Sequence, residues 1–272
     1  MSSVPADIAS KLSLIDANKA LISGRRPLSP QEAEQIGIQL KTDLTYTSNA
    51  LEGNSLTLDE TRAVLEYGMT IRGKPLHDVF EAAGHSEAYD LMAEMARGGA
   101  VDLLTDKIRR IHRLFYQDIN YVEAGNYRQN NIWLGGAAYI PPKPLLPAPL
   151  MYEFEKQFYG IQGSVHPVEL AAFAHMRLAD IHPFVDGNGR TSRLLMNLVL
   201  LDNGYQLVSI SPEIRTEYID AVKASQNSAD SHDTPFFRFL ADEEIRSQAH
   251  YMKLLGISPS PPDHDTPGPR PG

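Results

Sequence analysis

Ile181-His182-Pro183-Phe184-Val185-Asp186-Gly187-Asn188-Gly189-Arg190-Thr191-Ser192-Arg193 carries more chemistry than any other stretch of this 272-residue chain. Pro183 disfavours helical geometry in its predecessor and brings no N–H of its own, so a helix ends at His182. Gly187 and Gly189 permit backbone conformations and close approaches that side chains forbid, and Asn188 is placed to cap a helix starting near Gly189. The N–H groups of that helix start converge on one spot with the positive end of a helix dipole behind them, a ready seat for phosphate. Asp186 is a hard oxygen ligand suited to holding Mg²⁺ against phosphate oxygens. Arg190 and Arg193, three apart, project from the first helical turns and add planar, multidentate donors. His182 titrates near neutral pH and can accept a proton from an attacking hydroxyl. A plain helix–loop–helix corner with a buried histidine and surface arginines is the alternative, and eight specified positions at fixed spacing weigh against it.

Outward from this stretch the sequence keeps a helical period, with short Gly, Pro or Asn punctuation, and predicts a mainly α protein. Helices are expected over 6–22, from a Ser29 cap with Pro30 in the first turn to about Ala50, and from a capping box at Thr57–Glu60 through Tyr67. Further helices are expected over 76–97, 101–118, 147–160, 166–182, 188–203, 211–226 and 233–255. The exception is 129–142, QNNIWLGGAAYIPP, where β-branched and aromatic residues flank Gly135-Gly136 and suit a short β-hairpin. Residues 257–272 are nearly all Pro, Gly, Ser and Asp and are expected to be disordered.

Lys and Arg total 25 against 34 Asp and Glu, a formal charge of −9 with no basic block, which disfavours nucleic-acid binding as the main function. The absence of cysteine excludes disulfides, thiolate catalysis and Cys-ligated metals, and suits a reducing cytoplasm. No leader pattern opens the chain, and nowhere do about 18 uncharged apolar residues run together, so neither secretion nor membrane spanning is expected.

The run HPFVDGNGR-TS-R resembles the signature of the Fic family, H-[PX]-F-x-[DE]-G-N-G-R-x-x-R, without a departure. The resemblance extends from about residue 10 to 255 and includes AGNYR at Ala124–Arg128 and the pair Pro141-Pro142. It implies a helical bundle with a β-hairpin flap that transfers AMP from ATP to a hydroxyl of a target protein. By resemblance, His182 is the general base, Asp186 the Mg²⁺ ligand, Gly187, Asn188 and Gly189 the diphosphate cradle, and Arg190 and Arg193 the triphosphate partners. Ile132, Trp133 and Tyr139 belong to the flap that positions the target. Relatives that phosphorylate their target carry Lys where this chain has Gly189, so kinase-type transfer is disfavoured. The implied division is N-terminal helices over 1–98, a catalytic core over 99–256 and a tail over 257–272.

Thr47-Ser48-Asn49-Ala50-Leu51-Glu52-Gly53-Asn54 resembles the family's inhibitory motif, [ST]-x-x-x-E-[GN], with Ser48, Glu52 and Gly53 in the fixed positions of a helix over about 30–53. A Glu52 carboxylate against Arg193 would neutralise charge that the γ-phosphate needs. In some relatives the same glutamate positions water and AMP is removed again, so de-AMPylation is allowed, as is a homodimer. Two other classes compete. His77-Asp78 with His85 and Asp90 would suit a metal-dependent phosphohydrolase. A locked nucleotide-sensing module would bind ATP without transfer. His175 reads as a core histidine.

Overall fold

The computed structural model describes residues 5–98, 104–129, 147–226 and 233–257. Among them are ten α-helices and one 3₁₀ turn, and no β-strand. In chain order the helices are α1 (Ala6–Gly24), α2 (Pro30–Ala50), α3 (Leu58–Tyr67), α4 (Leu76–Ala96), α5 (Leu104–Tyr116), α6 (Pro147–Ile161), α7 (Pro167–Ile181), α8 (Asn188–Asp202), α9 (Arg215–Ser225) and α10 (Pro235–Leu254). The hairpin expected over 129–142, with Ile132, Trp133 and Tyr139, lies outside the described residues apart from Gln129, as does the tail beyond Ile257.

Local chemistry accounts for the helix boundaries. Ser29 and Glu32 form a reciprocal capping box at the start of α2, and Thr57 and Glu60 another at α3. α1 continues to Gly24, two residues past its expected end. The segment expected as helix from 211 opens instead as a 3₁₀ turn, Pro212–Ile214, capped by Ser211, before α9 begins at Arg215.

The position of α8 decides where the functional loop sits. Thr191 through Leu200 are all buried, so this helix is enclosed on every side. Its polar side chains are satisfied locally: Thr191 Oγ1 donates to Gly187 O at 2.8 Å and Ser192 Oγ to Asn188 O at 2.8 Å. Asn197 donates to Val208 O at 3.0 Å and accepts from Val208 N at 2.7 Å, strapping the following segment to α8. α7 packs against it, and Leu194, Leu195, Met196, Phe115, Phe154, Phe184 and Phe236 belong to one core that runs from Ile8 to Ala241. α4 and α5 approach so closely that a Cβ on Gly84 would lie 2.5 Å from Phe115 O. Because backbone rather than a side-chain tip must give way, Gly84→Ala is expected to lower unfolding free energy by about 1–3 kcal/mol despite alanine's better helix propensity, read from urea denaturation.

Buried titratable groups set the pH of greatest stability. Burial lowers His85 and His175 to about 3 and His112 to about 4. Their folded values lie below the ordinary 6.5, so the stability they contribute is present above that pH and is lost as pH falls. Burial raises Glu244 to about 8 and Asp180 to about 6. Their contribution is full below the ordinary carboxylate range and is lost as pH rises through those values. Among these five groups the three histidines outweigh the two carboxyls up to 6.5, above which Glu244 alone of the five is still titrating. The urea midpoint should therefore peak near pH 6.5 and fall by pH 8, and Glu244→Gln should flatten the alkaline fall.

Candidate active site

His182 caps the C-terminus of α7 in the left-handed conformation, φ 51° and ψ 57°, and is the one non-glycine with positive φ among the described residues. That conformation costs a residue bearing a Cβ about 1–2 kcal/mol, so something must hold it. Arg128, buried to 1% exposure, does so. Its backbone N–H donates to Pro183 O at 2.8 Å and its Nε to His182 O at 2.8 Å. Burial lowers the His182 pKa and the Arg128 charge adds to the shift, against a backbone hydrogen bond, Asp186 and Glu52 that raise it. The imidazole is thereby kept neutral at pH 7.

The loop after His182 is closed by Asn188. Its Oδ1 accepts from Phe184 N at 2.9 Å and its Nδ2 donates to Phe184 O at 2.9 Å. This differs from the expected cap: α8 starts at Asn188 itself, after Gly187 at φ 75°, with no side-chain cap. Gly187 is required both by that φ and by space, since a Cβ would lie 2.6 Å from Phe115 Cε1. His112 braces the same turn. Its Nδ1 accepts from Gly125 N at 2.9 Å, which leaves Nε2 to donate to Asp186 O at 3.0 Å, and its ring stacks flat on Phe184 at 3.7 Å. The first N–H groups of α8 keep the open, positive end of a helix.

Glu52 lies on that helix end. Gly53 at φ 97° turns the chain after α2, and a Cβ on Gly189 would overlap Glu52 Oε1. Arg193, 2% exposed, donates from Nη2 to Glu52 Oε1 at 2.8 Å and to Ser48 O at 2.8 Å. Its Nε donates to Ser48 Oγ at 3.0 Å and its Nη1 to Tyr218 OH at 3.3 Å. Three of these four acceptor atoms belong to Ser48 and Glu52. Burial opposes ionisation of Glu52, but Arg193, helped by Arg190 and Arg215, outweighs it and holds the carboxyl below its usual value. Arg215 donates from Nε to Leu51 O at 2.9 Å, pinning the end of α2.

Ser48, Glu52, Gly189 and Arg193 thus meet, next to the loop that carries His182 and Asp186. Arg190 does not join them. It is 3% exposed, pairs through Nη1 with Glu81, and lies over the Phe115 ring at 4.4 Å. Its Nη2 stands 3.6 Å from Asp186 Oδ2. Asp186 is half exposed, and its Oδ1 accepts from Gly187 N at 2.7 Å.

Glu81, Tyr218 and the bracing role of His112 carry no local sequence signal, because each meets its partner only through tertiary packing. Arg128 does have one, the AGNYR stretch. The residues of the phosphohydrolase alternative are dispersed: Asp78 Oδ2 accepts from Ser55 Oγ at 2.6 Å, Asp90 pairs with Lys41 at 2.6 Å, and His85 is fully buried. Among the described residues no group of three or more His, Asp or Glu is placed to hold a metal. His175 stacks on Phe236 at 4.2 Å with its Nε2 3.0 Å from Tyr218 OH, a core histidine.

Residues 102–200 match the Fic/DOC family. The Protein adenylyltransferase Fic of Drosophila melanogaster is 40% identical over 199 residues, covering 72% of this chain and 39% of the relative. Its Drosophila mojavensis counterpart is 41% identical over 201 residues, covering 72% and 38%. The chain therefore spans about two fifths of the length of these curated relatives. A Fic domain containing signaling protein from Bacteroides thetaiotaomicron superposes with a TM-score of 0.80 at 28% identity, covering 90% of this chain and 99% of the other. Fic-1 from C. elegans superposes at 0.76 with 26% identity, covering 93% and 74%. The loop at His182, the helix start at Gly189 and these likenesses identify residues 102–200 as a Fic/DOC domain.

Proposed function

We propose that this protein is an autoinhibited adenylyltransferase that moves AMP from ATP to a Tyr, Thr or Ser hydroxyl of a target protein, possible targets including the chain itself. The observation that carries the reading is the Glu52 carboxylate seated on the start of α8 against Arg193, where a phosphate would otherwise sit. The relatives named adenylyltransferases support the reaction class.

With Glu52 withdrawn, the α8 N-terminus and Arg193 receive the β- and γ-phosphates and orient the α-phosphorus toward the incoming hydroxyl. Neutral His182 takes the hydroxyl proton as the oxygen bonds to the α-phosphorus and the bond to the β-phosphate oxygen breaks, releasing pyrophosphate. Asp186 fits a Mg²⁺ ligand in donor type and exposure, a single hard carboxylate with one oxygen only loosely faced by Arg190. Bound there, Mg²⁺ would neutralise phosphate charge. Ile132, Trp133 and Tyr139 take the target-positioning role by resemblance. No described helix is long and apolar enough to cross a membrane, and a cytoplasmic site and a homodimer remain parts of the proposal. The partly exposed, ionised Glu52 also supports a second reading, in which it activates water to remove AMP.

The test is Glu52→Gly incubated with ATP labelled at the α- or the γ-phosphate, with a cell lysate as acceptor. Protein-bound label from the α-position alone is expected. Label from the γ-position would overturn nucleotidyl transfer in favour of phosphorylation, and no label from either would leave the nucleotide-sensing module.

A further inference from the structure

We propose that Glu81 of α4 is a positioning residue that couples the inhibitory corner to the catalytic loop, one carboxylate oxygen holding Arg190 and the other holding Asn54. The proposal rests on the functional reading above and adds a residue that neither the signature nor the inhibitory motif contains.

Glu81 is 6% exposed. Its Oε1 receives Arg190 Nη1 and lies 3.1 Å from His77 Nε2, while its Oε2 accepts from Asn54 Nδ2 at 2.9 Å. Its main-chain oxygen accepts from Asn49 Nδ2 at 3.4 Å, and Asn49 Oδ1 takes a further contact from Arg190 Nη1 at 3.4 Å. Asn49 and Asn54 bracket Glu52, so both sides of the corner hang on one carboxylate-bearing turn of α4. Asn54 Nδ2 also reaches Asp78 O at 3.0 Å, and its Oδ1 accepts from Leu56 N at 3.0 Å, which carries the hold into the next residues.

The alternatives open to Arg190 explain why this pairing matters. A buried guanidinium stays charged and must find an anion. Besides Glu81, the nearest carboxylate oxygen is Asp186 Oδ2 at 3.6 Å, and Arg190 already adds to the field that ionises Glu52. Neutralising Glu81 would draw Arg190 onto Asp186, which would occupy the oxygen offered to Mg²⁺ and phosphate, and would loosen the corner that presents Glu52. Glu81 thus holds Arg190 at 3.6 Å from Asp186, short of a direct hydrogen bond, and leaves Glu52 to Arg193.

The two arms separate in two backgrounds. With Glu52 intact, Glu81→Gln and Asn54→Ala should each raise AMP transfer about tenfold, the scale of one lost buried hydrogen bond to a charge. In the Glu52→Gly background, Asn54→Ala should change nothing, whereas Glu81→Gln should raise KM for Mg·ATP about tenfold with kcat nearly unchanged. A merely structural role would lower kcat in both backgrounds without touching KM. Hydrogen exchange supplies a readout independent of transfer: the Leu56 amide, which donates to Asn54 Oδ1, should exchange about tenfold faster in Glu81→Gln, with amides of α1 unaffected. Unchanged exchange with unchanged rates overturns the coupling. Faster exchange without any transfer by Glu52→Gly would sink the functional reading and leave the coupling standing. If Glu81→Gln does not fold, exchange and basal transfer in Asn54→Ala decide.

Discussion

Replacing Glu52 with glycine is expected to raise AMP transfer by about two to three orders of magnitude at saturating ATP. Arginines that neutralise phosphate charge during phosphoryl transfer contribute about 10³ to 10⁵ in rate, which sets the upper limit. The gain falls short of that limit because Ser48 still engages Arg193 through Nε and Nη2 after the carboxylate is gone. Two changes act together. Arg193 loses its anionic partner at 2.8 Å and can turn to the γ-phosphate, and the negative charge on the start of α8 disappears. Glu52→Gln separates them, since it keeps the shape and removes the charge; its rate should fall between those of the wild type and Glu52→Gly. Initial rates with a fixed acceptor and varied ATP read both parameters. A fall in KM for ATP accompanying the rise in kcat would show that the brake also weakens productive binding.

Replacing His182 with alanine in the Glu52→Gly protein is expected to lower transfer by about 10²- to 10⁴-fold, the usual worth of a positioned general base. The KM for ATP should hardly change, because Arg193 and the α8 N-terminus carry the phosphates. The pH profile gives a second check. Burial and Arg128 hold His182 below the ordinary imidazole value of 6.5, so transfer should stay level through pH 7 and decline only below 6.5. A profile that rises steeply between pH 7 and 8 would contradict a base that is already neutral.

Much of the helical plan is legible where local chemistry decides it. Ser29 with Glu32 and Thr57 with Glu60 specify helix starts through contacts three residues apart, and Pro183 stops α7 at its predecessor. The helix start proposed to seat phosphate is legible for the same reason, since Gly187 and Gly189 lie beside it. Contacts between distant segments are not. Asn188 has the composition of a cap, yet it bonds Phe184 on both backbone atoms, a choice made by the loop it closes. Arg190 reads as a phosphate ligand by its spacing from Arg193, but α4 brings Glu81 to it from 109 positions away and turns it inward. Nothing near Glu81 in the sequence announces that pairing.

The most direct test of the account is one assay with ATP labelled at the α-phosphate, comparing wild type, Glu52→Gly and Glu52→Gly/His182→Ala, with self-modification and a cell lysate as acceptors. The account predicts strong labelling by Glu52→Gly, little by the wild type and none by the double variant. Equal labelling by wild type and Glu52→Gly would contradict a brake at Arg193, and undiminished labelling by the double variant would contradict His182 as the base.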